Sequence, residues 1–203
     1  MRRALQKIFL ALAFTVLASP ALAGGFDLSL HYGIDDYDAV GLKSGLGGVG
    51  EEGRIRDGST HLGATAIFRG GLAEFGAIGE IGRVGQDGGT TLLGLLGGLG
   101  FDMGAVRLEA LGELGAHRYG DLLQDSAVLT RSRSEAWLVS LGVRPGLSLR
   151  PGAEGRIILG IWAFARWDLT NEDVRVDLGS AGISTYELGG AQFGASARLG
   201  FSL

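Results

Sequence analysis

Apolar and polar residues alternate along most of the chain, which is the periodicity of β-strands rather than of helices. In the stretch FDLSLHYGI, every second residue from Phe26 to Ile34 is apolar, and the residues between them are polar or glycine. Successive side chains of a strand point to opposite faces, so one face of this strand is apolar throughout. The stretches VRLEALGELGAH at 106–117 and ASARLGFSL at 195–203 repeat the pattern. The sequence therefore predicts strands with two very different faces.

Eight such strands follow one another along the chain. They are predicted at residues 26–34, 61–69, 72–83, 92–101, 106–117, 137–149 and 156–169, and from about residue 187 to the C-terminus. Short links at 69–71, 102–104 and 150–155 alternate with longer, polar, glycine-rich links at 35–59, 83–90, 118–134 and 169–185. This arrangement is typical of an outer-membrane barrel. The predicted fold is all-β: an eight-stranded antiparallel transmembrane β-barrel, closed as an up-and-down meander because hydrocarbon cannot satisfy an open strand edge.

The position of the charges separates this barrel from a soluble lipocalin-like barrel, which has an apolar interior. Here the charged residues fall on one face of the strands, and the opposite face is apolar. A narrow eight-stranded lumen is filled by side chains, so a charged interior must pair with itself. The predicted lumen ion-pair network consists of Asp27, Glu74, Glu80, Arg107, Glu109, Glu113, Arg144, Arg166, Asp168 and Arg198, and Arg69 and Arg156 share its face.

Two details of register follow from the same alternation. A two-residue turn at Gly70–Gly71 would place Arg69 opposite Leu72 and His61 opposite Glu80. Trp162 and Phe164 fall on the charged side of their strand. They either fill the lumen against Gly142 and Ser140 or are turned toward lipid by a bulge, and both alternatives stay open.

Aromatic residues near the strand ends predict two girdles at the membrane interfaces. Phe26, Phe68, Phe101 and Phe201 are expected at the periplasmic interface, and Tyr32, Trp137 and Trp167 at the outer one.

The first residues predict export. MRRALQKIFLALAFTVLASPALA has a basic start, a short apolar stretch and a small-residue cleavage site, which is the layout of a cleaved secretory signal peptide at residues 1–23. Residues 24–203 then form the barrel domain. Without the signal, 15 basic residues face 22 acidic ones, a net charge of −7 that argues against a nucleic-acid partner. The absence of cysteine excludes a disulfide scaffold and a lipoprotein anchor.

Candidate chemistry is sparse. Asp57, Ser59 and His61 share one strand parity near the outer rim, as a Ser-His catalytic site would require. The simpler interpretation is a solvated loop end with an inward His61 paired with Glu80. The acidic residues at 35–38 are explained more simply as a solvated loop than as a cation site. We therefore expect no catalytic residue, no metal and no cofactor.

Together, the signal sequence, the eight alternating strands, the long loops and the aromatic C-terminal strand resemble the small outer-membrane barrels of Gram-negative bacteria: the OmpA transmembrane domain, OmpX-like proteins and opacity-type proteins. That group usually ends on Phe, whereas this chain ends on Leu203 with Phe201 two residues before it. A resemblance to outer-membrane lipid A deacylases would require a His-x-Ser pair, but none of His31, His61 and His117 has a serine two residues later.

The resemblance implies a location in the outer membrane, contact with its lipid, and recognition of the C-terminal strand by the barrel-assembly machinery. It also implies a monomer that supports the membrane or interacts through its extracellular loops with a ligand that the sequence does not identify. The alternative is a narrow channel for small solutes, and a lipid-modifying enzyme comes third.

Overall fold

A computed structural model describes residues 25–44, 54–84, 88–120, 136–151, 156–177 and 183–203. The predicted signal peptide at 1–23 lies outside the described residues. Within the described ranges nearly every residue belongs to a β-strand. These ranges contain no helix that is both long and apolar enough to cross a membrane.

Nine strands are assigned in the described part of the chain. They are β1 (Phe26–Ser44), β2 (Arg54–Gly70), β3 (Ala73–Val84), β4 (Gly88–Met103), β5 (Val106–Gly120), β6 (Ala136–Leu149), β7 (Ile157–Asp168), β8 (Glu172–Asp177) and β9 (Ile183–Ser202). All neighbours pair antiparallel, and β9 pairs with both β7 and β1. The predicted closed eight-stranded meander is confirmed, with β9 as its last strand. The additional strand, β8, pairs with the first residues of β9 outside this circuit.

The strands are staggered around the barrel. The partners of Phe26 can be followed through Phe68, Phe75, Gly97, Gly112, Val143, Ala165 and Phe193 back to Asp36, ten residues further along β1. Such a stagger requires strands tilted by about 35–45° to the barrel axis. With eight strands the interior is just wide enough for side chains to fill it.

The turns at one end of the barrel are tight. Gly71 and Gly104 each begin a two-residue turn with φ of 63° and 68°, a backbone conformation that other residues rarely adopt. At this same end Phe26 and Leu203 exchange two backbone hydrogen bonds of 3.2 and 2.8 Å. We call this the short-turn end, and the opposite one the long-connection end.

One predicted register is wrong. The β2–β3 turn uses Gly71 and Leu72, so Arg69 lies opposite Glu74, and Gly63 rather than His61 lies opposite Glu80. The pairing moves by two residues relative to the prediction. Because side chains alternate with a period of two, every residue keeps its predicted face.

The predicted loop at 35–59 is also largely wrong. β1 continues to Ser44 and β2 begins at Arg54, so most of this stretch is paired strand. Likewise β3 and β4 reduce the predicted 83–90 loop to residues 85–87, which lie outside the described residues. Polar, glycine-rich sequence is therefore not a reliable sign that a strand ends.

The two faces of the wall differ as the alternation predicts. Large apolar side chains such as Leu30, Ile34 and Leu199 are more than half exposed on the outside. Phe101 and Phe201 lie on this face near the short-turn end. The assignment of the aromatic residues to girdles at the two membrane interfaces stays a prediction.

The other aromatic residues of the predicted girdles are also at the wall. Phe26 and Phe68 are strand partners whose ring centroids lie 4.5 Å apart. Trp137 and Trp167 lie on the outer face toward the long-connection end. Tyr32 lies on the same face but nearer the short-turn end, and Ile34 lies between Tyr32 and the long-connection end.

Candidate functional site: the barrel interior

Part of the interior is apolar. A cluster of six side chains, each at most 4% exposed, packs together inside the wall: Ile67, Ile78, Leu92, Leu96, Leu111 and Trp162. In the sequence, Ile67 and Ile78 look like errors in the alternation, but the backbone places them inward all the same. The lumen is therefore filled partly by charge and partly by hydrocarbon.

Near the short-turn end, Asp27 is shared by two arginines. Arg69 Nη2 and Arg150 Nη2 lie 2.8 Å from its two carboxylate oxygens. Both guanidinium groups also donate to Ser202 Oγ, at 2.5 and 3.5 Å. This cluster ties the last strand to the first, close to the chain ends.

A second pair lies at the same end. Arg107 Nε donates to Glu74 at 2.7 Å, and Arg107 Nη1 lies 2.5 Å from the largely exposed Asp102. Gly100 lies beside this pair, and a Cβ at that position would overlap both side chains. A glycine on the inward face therefore makes room for the arginine.

Glu109 forms the next cluster. It accepts from Arg198 Nη1 at 2.9 and 3.1 Å, from Trp162 Nε1 at 2.8 Å and from Ser148 Oγ at 3.2 Å. The Arg198 guanidinium lies over the Trp162 ring, 4.4 Å from its centroid, and also donates to Ser29. Trp162 thus contacts charged groups while belonging to the apolar cluster.

A four-membered ring of charges crosses the middle of the lumen. Arg144 lies 2.6 Å from Glu80 and 2.8 Å from Glu113. Arg166 lies 2.8 Å from Glu80 and 2.5 Å from Glu113. All four side chains are at most 5% exposed, and both guanidinium groups pack on the Phe164 ring. We call these four charged residues the charge ring.

Two acidic residues lie further toward the long-connection end. Asp168 contacts His117 Nδ1 at 3.3 Å and accepts from Tyr119 and from the backbone of Gly190.

Every one of the ten residues predicted for the network thus has a charged or polar partner inside the barrel. Its predicted face-mate Arg156 precedes β7 and has an exposed side chain. That inward assignment is wrong.

Asp35 is the other acid at this level. It accepts from Ser59 and from Gln192, and His61 Nδ1 lies 3.4 Å from its Oδ2. Ser59 therefore donates to an aspartate, and among the described residues it makes no hydrogen bond to His61 of the kind that activates a serine nucleophile. The side chain of Asp57 lies outside the described residues. Sequence reasoning assigned Asp35 to a loop because the extension of β1 was not visible.

Arg150 is also missing from the predicted network, since it lies at the end of β6 where the sequence indicates a turn.

Trp162 and Phe164 both lie in the lumen, which resolves the open alternative. Their neighbours differ from the expected ones: a Cβ on Gly146 would overlap Trp162, and one on Gly194 would meet Phe164 at 2.6 Å.

No protein-family model and no curated protein matches the chain. Among solved structures, it is similar to the outer membrane protein OprG from Pseudomonas aeruginosa, with a TM-score of 0.62 and 13% identity over 89% of this chain and 96% of that one. It is also similar to Neisserial surface protein A, with a TM-score of 0.53 and 14% identity over 86% of this chain and 97% of that one. At such identities the similarity establishes the fold. The resemblance to small eight-stranded outer-membrane barrels is confirmed at that level.

Proposed function

We propose that the protein is a non-enzymatic integral outer-membrane barrel whose lumen is closed at rest, and that it acts in membrane structure or in surface interaction through its long-connection end. The charge ring is the observation that carries this proposal. Its members come from β3, β5, β6 and β7, so their contacts bridge the lumen. Ordered ion pairs packed on aromatic rings leave little room for a continuous water path.

Placement in a membrane is supported by the outer face. Apolar side chains cover the outside of the described strands, and the polar residues between them point inward. This distribution suits contact with hydrocarbon and would be unfavourable in water. Backbone closure through β1 and β9 leaves no unpaired edge at membrane depth. Both similar structures are surface or outer membrane proteins by name.

The last strand is also proposed to guide assembly. Phe201 and Leu203 are exposed on the outer face of the chain end, where β9 meets β1. An apolar terminal strand of this kind resembles the signal that the barrel-assembly machinery recognises in the small outer-membrane barrels.

Surface interaction is supported by the sheet that continues past the barrel. β7 pairs with β9 only as far as Trp167 and Ala191, and β8 takes its place on β9 beyond that point. On the other side, β1 pairs with β9 up to Ser44 and Thr185. β2, β1, β9 and β8 thus form a four-stranded extension at the long-connection end. It offers the backbone of these strands to an external ligand while the barrel stays intact.

Cell fractionation tests the proposal. Expressed in a Gram-negative host, the protein is expected in the outer-membrane fraction, resistant to urea extraction and with heat-shifted gel mobility. A version with residues 172–187 replaced by a short Gly/Ser turn should keep both properties, because the barrel pairings of β7 and β9 begin beyond that segment. Recovery of the unmodified protein from the soluble periplasm would contradict the membrane placement.

Complementation then separates the two roles. A strain lacking the protein is challenged with detergent stress and rescued with either form. Rescue by the shortened form indicates a role for the barrel in membrane structure. Rescue by the full-length form alone indicates a role for the extension.

A further inference from the structure

Two histidines and a glutamate converge on the inner wall beside the charge ring. His31 lies on β1, His61 on β2 and Glu80 on β3, and each can offer one ligand atom such that all three atoms lie within 4.8 Å of one another. All three side chains are buried. The two imidazole centroids are 5.8 Å apart.

The backbone is adapted to hold these rings. His31 lies opposite Gly63, and Gly33 lies opposite His61, so each histidine faces a glycine of the other strand. A Cβ on Gly63 would overlap the His31 ring, and a Cβ on Gly33 would overlap the His61 ring. The reciprocal glycines allow both imidazoles to lie close against the wall and next to each other.

Buried nitrogens at this position lack partners. His61 is 4% exposed, and neither of its ring nitrogens makes a hydrogen bond to any described residue, although Nδ1 lies 3.4 Å from Asp35. His31 Nε2 lies 2.9 Å from Glu80 Oε1, but its Nδ1 has no partner among the described residues. Buried polar groups are normally satisfied, and a neutral imidazole always carries one nitrogen lone pair. Two such lone pairs therefore lie in the interior without a donor.

We propose that His31, His61 and Glu80 bind one divalent transition-metal ion, for which Zn²⁺ is the best-fitting probe. Two imidazole nitrogens and a carboxylate are a ligand set of Zn²⁺ and its first-row neighbours, whereas Ca²⁺ and Mg²⁺ prefer oxygen ligands alone. Ligand atoms around tetrahedral zinc lie roughly 3.3 Å apart. The present separations of up to 4.8 Å therefore have to shorten by at most about 1.5 Å. Asp35, next to His61 Nδ1, is placed to orient that ring from outside the metal.

The surrounding charges limit the affinity of this site without excluding a cation. Asp35, Glu80 and Glu113 carry three negative charges at this level, against two positive charges on Arg144 and Arg166. The local net charge is therefore −1 with neutral histidines. Both arginines also contact Glu113, so they keep a partner when Glu80 turns toward a metal. We expect weaker binding than at a structural zinc site, where no cation competes for the ligands.

Cobalt is the first probe. The mature chain, without a histidine tag, is refolded in detergent, treated with a chelator and titrated with Co²⁺, whose visible absorption reports ligand type and geometry. One equivalent giving a tetrahedral or five-coordinate nitrogen–oxygen spectrum, displaced by Zn²⁺, supports the site. Absence of that spectrum in the unmodified protein overturns it.

Variants locate the ion. His61→Ala and Glu80→Gln should each weaken Zn²⁺ binding at least tenfold by calorimetry, whereas His117→Asn, the remaining histidine of the chain, should bind like the unmodified protein. Zn²⁺ should also raise the urea midpoint of the unmodified protein and of His117→Asn, but not that of His61→Ala. Equal affinity in His61→Ala, or binding that depends on His117, would overturn the assignment. Heat-shifted gel mobility shows that each variant is folded.

Discussion

Glu113 is the position where the charge ring can be tested most sharply. It accepts three hydrogen bonds, from Arg144 Nε at 2.8 Å and from Arg166 Nε and Nη2 at 2.5 and 3.2 Å, and its side chain is 2% exposed. Replacing it with alanine leaves two buried guanidinium groups with fewer acceptors, and Glu80 becomes their shared carboxylate. Breaking a buried pair by removing one partner costs about 3–5 kcal/mol.

Part of that cost should be recovered. Arg166 keeps Glu80 and Gln192, at 2.8 and 2.6 Å, and Arg144 keeps Glu80 at 2.6 Å. We therefore expect Glu113→Ala to lie at the lower end, about 3 kcal/mol. Glu113→Gln, which retains one acceptor oxygen, should cost about 1.5–3 kcal/mol, the range for a hydrogen bond to a charged group.

Asp102→Asn is the matched control. Asp102 also pairs with a buried arginine, Arg107, but its own side chain is 57% exposed, so solvent screens the pair and the loss should be less than about 1 kcal/mol. The assay is urea unfolding in lipid vesicles, followed by gel mobility. If Glu113→Ala costs no more than Asp102→Asn, the buried ring does not stabilise the barrel and the reasoning fails.

Two further pairs of substitutions, each a test with its control, probe the outer face and the interior of the wall. Leu30→Arg places a charge on the outer face well inside the strand and should lower the free energy of unfolding in vesicles by about 2–4 kcal/mol. Leu169→Arg, beyond the end of β7, should be tolerated. Equal losses of stability in both variants would mean that the outer face does not meet lipid. Gly146→Ala should displace Trp162, lowering stability by about 1–3 kcal/mol and shifting tryptophan emission. Gly112→Ala, whose added Cβ would come no nearer than 3.4 Å to Gly97 O, should change neither, and an unchanged emission in both would place the indole elsewhere.

The alternation of the sequence was enough to predict the fold and the identity of most inward residues. Face parity is robust because a register error of two residues, as at the Gly71–Leu72 turn, leaves every side chain on its face. For the same reason Ile67 and Ile78 had to point inward, although their chemistry suggested otherwise.

Contacts across the lumen could not be derived in this way. Arg166 meets Glu80 and Arg198 meets Glu109 over sequence separations of 86 and 89 residues. Which inward residues share one level depends on the ten-residue stagger, which accumulates over eight strand pairs. The pattern HxG at residues 31–33 and again at 61–63 was a usable signal for the histidine pair, but only once β1 and β2 were in register.

The most direct test of a closed membrane barrel is planar-bilayer recording of the unmodified protein. The charge ring and the apolar cluster inside the lumen predict insertion without steady conductance, and Glu113→Ala should produce leak events if it remains folded. Large, steady conductance from the unmodified protein would contradict closure. It would favour the narrow channel as the function of this barrel.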